Sequence, residues 1–185
     1  MLRNNWPRFE MVTFSELPNV SSSLVAALTN PGVPKALIGA AYQAAHALTL
    51  VESPHYGQFV CFGVSGGSCP ICLDPKTGKV VEIVTTSNGP VRLVNTTLQQ
   101  FISTVRDVLA RFPFDSGDSR TALDEDGYLD ELDNEWNRAA GELEETLRAI
   151  DPAAVVDPNG FWMTFLDDIR IGDFSTAIVI GTKHE

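Results

Sequence analysis

Residues 58–85 limit the possible folds more than any other part of the chain. Residues 58–63 (QFVCFG) form a short apolar run followed by a Gly66-Gly67 turn. Residues 68–74 (SCPICLD) lead into Pro75-Lys76-Thr77-Gly78, where proline presets the bend and glycine closes it. Residues 79–85 (KVVEIVT) are β-branched and return as the partner strand of a hairpin. Residues 90–94 (PVRLV) alternate and add a further strand.

The flanks read mostly as helix. Residues 21–29 (SSSLVAALT) predict a short helix with serine caps, and Asn30-Pro31-Gly32-Val33-Pro34 breaks the chain after it. Residues 35–51 stay open. Their alanines favour helix, whereas Leu37-Ile38 and Leu48-Thr49-Leu50-Val51 fit strand ends. After the strands, Asn95 is placed to cap, Thr96 and Gln99 have capping-box spacing, and Leu98, Phe101, Ile102, Val105 and Leu109 form one stripe. Arg111-Phe112-Pro113 ends that helix. Residues 115–124 read as a polar loop. A second amphipathic helix follows, with Leu129, Leu132, Trp136, Ala140, Leu143, Leu147 and Ile150 at spacings of three and four, stopped by Asp151-Pro152. Asp157-Pro158-Asn159-Gly160 predicts a turn, residues 161–169 a short helix and residues 177–180 a last strand. There is no internal repeat and no low-complexity tract.

Charge is the second strong signal. The chain has 185 residues, a length suited to one domain, and carries 13 Lys+Arg against 24 Asp+Glu for a net charge of −11. Residues 115–151 hold 13 of those acids and three basic residues, while the remainder holds 11 acids and 10 bases. Nearly all the excess therefore lies in one fifth of the sequence. Such a balance argues against binding nucleic acid through its phosphates, and against an anionic membrane surface. No apolar run approaches the roughly 18 residues that span a bilayer. Residues 1–10 lack the pattern of a signal peptide. With three cysteines, an odd number, the expectation is reduced thiols in the cytoplasm. The acidic block projects a local negative field that draws basic partners; the competing reading is a solvated helix face that confers solubility.

No motif reads as a catalytic site. Gly63-Val64-Ser65-Gly66-Gly67 matches the G-x-S-x-G pattern, but that elbow needs a helix after the serine, and Cys69-Pro70-Ile71-Cys72 follows instead. A tight glycine-rich turn between strands is the expectation. Cys69 and Cys72 have half of a zinc-ribbon spacing, or that of a redox C-x-x-C; no second Cys/His pair exists, with His46, His55 and His184 scattered singly, and a redox pair belongs at a helix N-terminus whereas these cysteines lie in a strand-like stretch. They read as buried strand cysteines. Asp124-Glu125-Asp126-Gly127 suggests a calcium loop, but counting back from Gly127 puts Ala122 at the first ligand position, leaving at most a loose, weak divalent site. No cofactor and no metal site is expected, and any two of the carboxylates meeting for acid/base work is less consistent with the pattern than a repulsive surface patch.

The order of several short motifs resembles the SUKH superfamily, and most of all its SUKH-4 immunity-protein branch. They are Gly32-Val33-Pro34; Gly57-Gln58-Phe59-Val60-Cys61-Phe62-Gly63; Cys72-Leu73-Asp74-Pro75-Lys76-Thr77-Gly78-Lys79-Val80; and Leu93-Val94-Asn95-Thr96-Thr97-Leu98-Gln99-Gln100-Phe101. Phe161-Trp162, an acidic helix and Gly172 resemble the family's C-terminal portion. The likeness covers about residues 20–112 and 160–175; the alanine-rich residues 35–48 and the block at 115–151 stand outside it. It implies a single α+β domain over residues 1–185, with a central, mostly antiparallel sheet flanked by helices and an acidic helical insertion at about residues 115–151. It also implies an immunity protein, not an enzyme, that binds and neutralises a cognate bacterial toxin domain of nuclease or deaminase type. No fixed set of functional residues transfers; Asp74, Thr77, Gly78 and Asn95 read as turn and cap residues. The acidic block is compatible with a basic toxin, which makes Asp124, Glu125, Asp126, Asp130, Glu131, Asp133 and Glu135 the expected partner-binding residues. The other reading is an intracellular adaptor of SUKH type with no toxin partner.

Overall fold

A computed structural model of the chain describes residues 7–15, 22–84, 89–115 and 125–174, with the side chains at 22, 24, 25 and 125–134 left outside that description. It divides into two compact units, Met1–Ala110 and Arg111–Glu185. The secondary structure is α+β, as expected: among the described residues it has a five-stranded antiparallel sheet, a two-stranded sheet and four helices.

In the first unit, β1 (Met11–Val12) pairs antiparallel with β2 (Val33–Pro34), and helix α1 (Ser22–Thr29) lies between them in sequence. The main sheet contains β3 (Tyr42–Ser53), β4 (Gly57–Ser65), β5 (Cys69–Leu73), β6 (Val80–Ile83) and β7 (Val91–Asn95), in that spatial order. Every neighbouring pair is antiparallel. The expected turns form. Ser68 N–H donates to the Ser65 carbonyl at 3.0 Å across Gly66-Gly67. In the next hairpin the Asp74 carboxylate accepts from Lys76 N–H at 2.9 Å and from the Thr77 hydroxyl at 2.6 Å.

Residues 35–51 resolve into a 3-10 turn at Ile38–Ala40 and the long strand β3. Pairing with β4 and burial of Tyr42 and Leu48 overrule the helix preference of the alanines. The period-two signal is lost because the register breaks: Ala44 faces Gly63 and Thr49 faces Cys61, so residues 45–48 stand opposite Phe62 alone.

Helix α2 (Leu98–Arg111) buries Leu98, Phe101, Ile102, Val105 and Leu109, as the stripe predicts, and adds Val108. Its Phe101 ring meets Tyr42 and Phe62 of the sheet edge-on, with centroids 5.1 and 5.8 Å apart. The capping box lies one residue later than the expected Thr96/Gln99 pair. Thr97 Oγ1 accepts from Gln100 N–H at 3.2 Å and donates to Gln100 Oε1 at 2.9 Å. Strand β7 continues through Asn95, which moves the start of the helix back. Thr97→Ala should therefore cost about 1 kcal/mol in urea unfolding curves compared with the parent chain.

In the second unit, α3 (Glu125–Ile150) ends at Asp151-Pro152, a 3-10 turn follows at Pro152–Val155, and α4 (Phe161–Arg170) comes after the Asp157-Pro158-Asn159-Gly160 turn. Helices α3 and α4 pack together. Ala140, Leu143 and Leu147 of α3 are buried, as are Phe161, Trp162, Phe165, Leu166 and Ile169 of α4. Phe165 stacks on Phe174 at 4.8 Å. The polar loop expected before α3, except Asp115, and the strand expected at residues 177–180 lie outside the described residues.

Candidate functional site

The expected partner-binding residues fall on one element. Asp124 lies outside the described residues, while Glu125, Asp126, Asp130, Glu131, Asp133 and Glu135 all belong to α3. Asp126, Asp130 and Asp133 are spaced by four and three, which places those positions along one stripe of a helix. Among the acids whose side chains are described, Glu142 and Glu145 are exposed and Glu135 is half-buried. The Glu144 carboxylate accepts from Arg148 at 2.7 Å and Arg170 at 2.9 Å, so its charge is spent within the unit.

The packing of α3 on α4 brings in acids that the linear charge count missed. The Trp136 ring lies over Gly172, where a Cβ would come within 2.5 Å of the indole, and Gly172 has a φ of +80° that an L side chain rarely adopts. This contact draws the end of α4 against the Glu135–Trp136 turn. Asp167, Asp168 and Asp173 lie on either side of Gly172. Burial, followed by the charges of Asp173 and Asp167, raises the Asp168 carboxyl above its usual range. Only the glycine of the Gly172 motif hinted at this close approach in the sequence.

Ser65 closes β4 and is buried, and its hydroxyl hydrogen-bonds the Glu82 carboxylate. A hairpin turn and strand follow it, so the strand-to-helix elbow is absent here. Glu125, Asp126 and Gly127 lie within α3, not in a calcium loop. Among the described residues, no group of three or more His, Cys, Asp or Glu is placed to hold a metal ion. Cys69 and Cys72 do lie in a strand, but Cys69 is half-buried, not buried. Three residues apart in an extended strand, they point to opposite faces. The register instead sets Cys72 opposite Cys61. The S–H of Cys72, opposed by burial and aided by the Gly63 backbone and the Thr49 side chain, brings Cys61 down to about 6. The same hydrogen bond, with burial, pushes Cys72 far up.

A sequence model of the SUKH-4 immunity protein matches residues 15–168. The chain belongs to the SUKH-4 immunity protein family. No match was found among curated proteins or among solved structures. Membership in SUKH-4 carries toxin immunity in general, and with it a cognate toxin as partner; proteins of this family are generally not enzymes. The matched stretch runs through both units, takes in residues 35–48 and all of α3, which the likeness read from the sequence set aside, and ends two residues before Arg170 closes α4. Among the described residues, no helix is long and apolar enough to cross a membrane.

Proposed function

We propose that this SUKH-4 protein neutralises its toxin by occlusion, laying the carboxylates of α3 over a basic cleft on a toxin of nuclease or deaminase type. The reading is of one SUKH-type domain with an acidic helical insertion at about residues 115–151, acting in the cytoplasm, binding neither nucleic acid nor membrane and catalysing nothing itself. The observation that carries it is the concentration of 13 acids in residues 115–151, most of them on one 26-residue helix. A helix holds carboxylates at fixed spacing, so they stand in for a row of phosphates with little ordering left to do on binding. Asp124, Glu125, Asp126, Asp130, Glu131, Asp133 and Glu135 are the proposed contacts, with Asp167, Asp168 and Asp173 extending the field.

The test is a pull-down from lysate of the native cells at low and high salt, with mass spectrometry of what is bound. One stoichiometric partner bearing a basic toxin domain, released at high salt, is the expected result, because the screening length shrinks from about 10 Å at 0.1 M to about 3 Å at 1 M. A toxin held equally well at both salts overturns the electrostatic mechanism, and many weak partners overturn the toxin assignment in favour of an adaptor. With the toxin in hand, Asp130→Lys, Glu131→Lys and Asp133→Lys together should slow association about tenfold or more while changing dissociation less, as read by surface plasmon resonance.

A further inference from the structure

The register of the main sheet brings two thiols together that the sequence keeps eleven positions apart. Cys61 on β4 and Cys72 on β5 are direct cross-strand partners, and both are buried on the same sheet face with Phe59, Val81 and Ile83. Directly opposed side chains on antiparallel strands hold their Cβ atoms about 4.5–5.5 Å apart, close to the roughly 3.5–4.5 Å a disulfide spans. The ladder is irregular at this point on both sides of Cys61. Residues 45–48 of β3 bulge just before Thr49 meets Cys61, and Phe62 is the extra residue of β4 just after Cys61 meets Cys72. Such bulges increase the local twist and occur often beside functional groups. The two sulfurs are unequal. Cys61 keeps 6% of its surface exposed and lies opposite the exposed edge-strand residue Thr49, while Cys72 has none. In its thiol form Cys61 Sγ donates to the Gly63 carbonyl at 3.2 Å, a bond that is given up when the thiolate forms.

We infer that Cys61 and Cys72 form a redox site, in which a hydroperoxide-class oxidant converts the two thiols to a cross-strand disulfide with Cys61 attacking and Cys72 resolving. The Cys61 thiolate attacks one peroxide oxygen, the O–O bond breaks, and the departing hydroxide takes a proton to leave as water. Cys72 Sγ then attacks the Cys61 sulfenic acid, the S–O bond breaks, and the hydroxide leaves as water with the Cys72 proton. Two thiols are oxidised and one hydrogen peroxide is reduced to two waters. Cys69 takes no part, since it sits opposite Ser65 on the other side of the strand.

The test treats the reduced, full-length protein with hydrogen peroxide, alkylates the remaining thiols under denaturing conditions, and maps disulfide-intact peptides by mass spectrometry. The expected product is a Cys61–Cys72 link within one chain, with Cys69 alkylated and the link reversed by dithiothreitol. Its rate should climb as pH rises through about 6, well below the range of an ordinary thiol near 8.5, because the thiolate is the attacking form. Cys69→Ser should form the link at the same rate. Cys61 and Cys72 both remaining alkylatable while Cys69 is oxidised would overturn the inference, as would a link that includes Cys69 or requires it.

Discussion

Gly63→Ala is expected to lower the stability of the first unit by about 3 kcal/mol, the upper part of the range for adding a methyl to a filled core. A Cβ at this position would lie 2.4 Å from Tyr42 Cε2 and 2.8 Å from the Gln43 carbonyl oxygen. The ring has no free direction in which to retreat. Tyr42 is fully buried, its hydroxyl donates to the Pro34 carbonyl at 3.0 Å, and Phe62 and Phe101 meet it edge-on. Burial also pushes the Tyr42 hydroxyl far up, so it stays a donor at any pH the fold would meet. Urea unfolding should show the midpoint falling with the slope unchanged. In a Tyr42→Leu background the methyl should cost less but not nothing, because the Gln43 carbonyl is backbone and remains. A loss below about 0.5 kcal/mol in the parent chain would contradict this packing.

Trp162→Ala should cost about 3–5 kcal/mol in the second unit. The indole is fully buried on α4 and meets Phe161 at 4.8 Å and Phe165 at 6.0 Å, both edge-on. Removing it leaves a cavity and breaks two aromatic contacts, each worth about 0.5–1.5 kcal/mol beyond the area it buries. Val156→Ser and Ile171→Ser provide the contrast. These side chains are 74% and 68% exposed, so each change should stay within about 0.5 kcal/mol of the parent. Thermal and urea unfolding followed by far-UV circular dichroism would separate the two classes.

The sheet and its turns were legible because their signals are local. Apolar runs of strand length, a Pro-Lys-Thr-Gly turn and the stripe beginning at Leu98 each depend on residues within a few positions of one another. What could not be read depended on register. Strand β3 hid behind the bulge at residues 45–48, which breaks the alternation that marks a half-buried strand. The pairing of β1 with β2 rests on two residues and leaves no periodic trace. Cys69-Pro70-Ile71-Cys72 drew attention because its cysteines are close in sequence, whereas the thiols that meet are those of Cys61 and Cys72, joined by the pairing of β4 with β5. The candidate site divides in the same way. The density of acids on α3 is a property of the sequence, but the addition of Asp167, Asp168 and Asp173 follows from Trp136 resting on Gly172.

The strand order of the main sheet has a kinetic consequence. Because β3 through β7 neighbour one another in the order of synthesis, each new strand finds its partner in the one just completed, and no pairing waits for a distant segment. Closing short loops costs little chain entropy, and chains dominated by local contacts fold fast. The sheet is complete in sequence by Asn95, while α3 begins only at Glu125. On a ribosome the sheet can therefore form first and the helical second unit after it. If the carboxylates of α3 make the toxin contact, as proposed, the delay before a newly made chain can protect its cell is set by the helical second unit, not by the β-sheet.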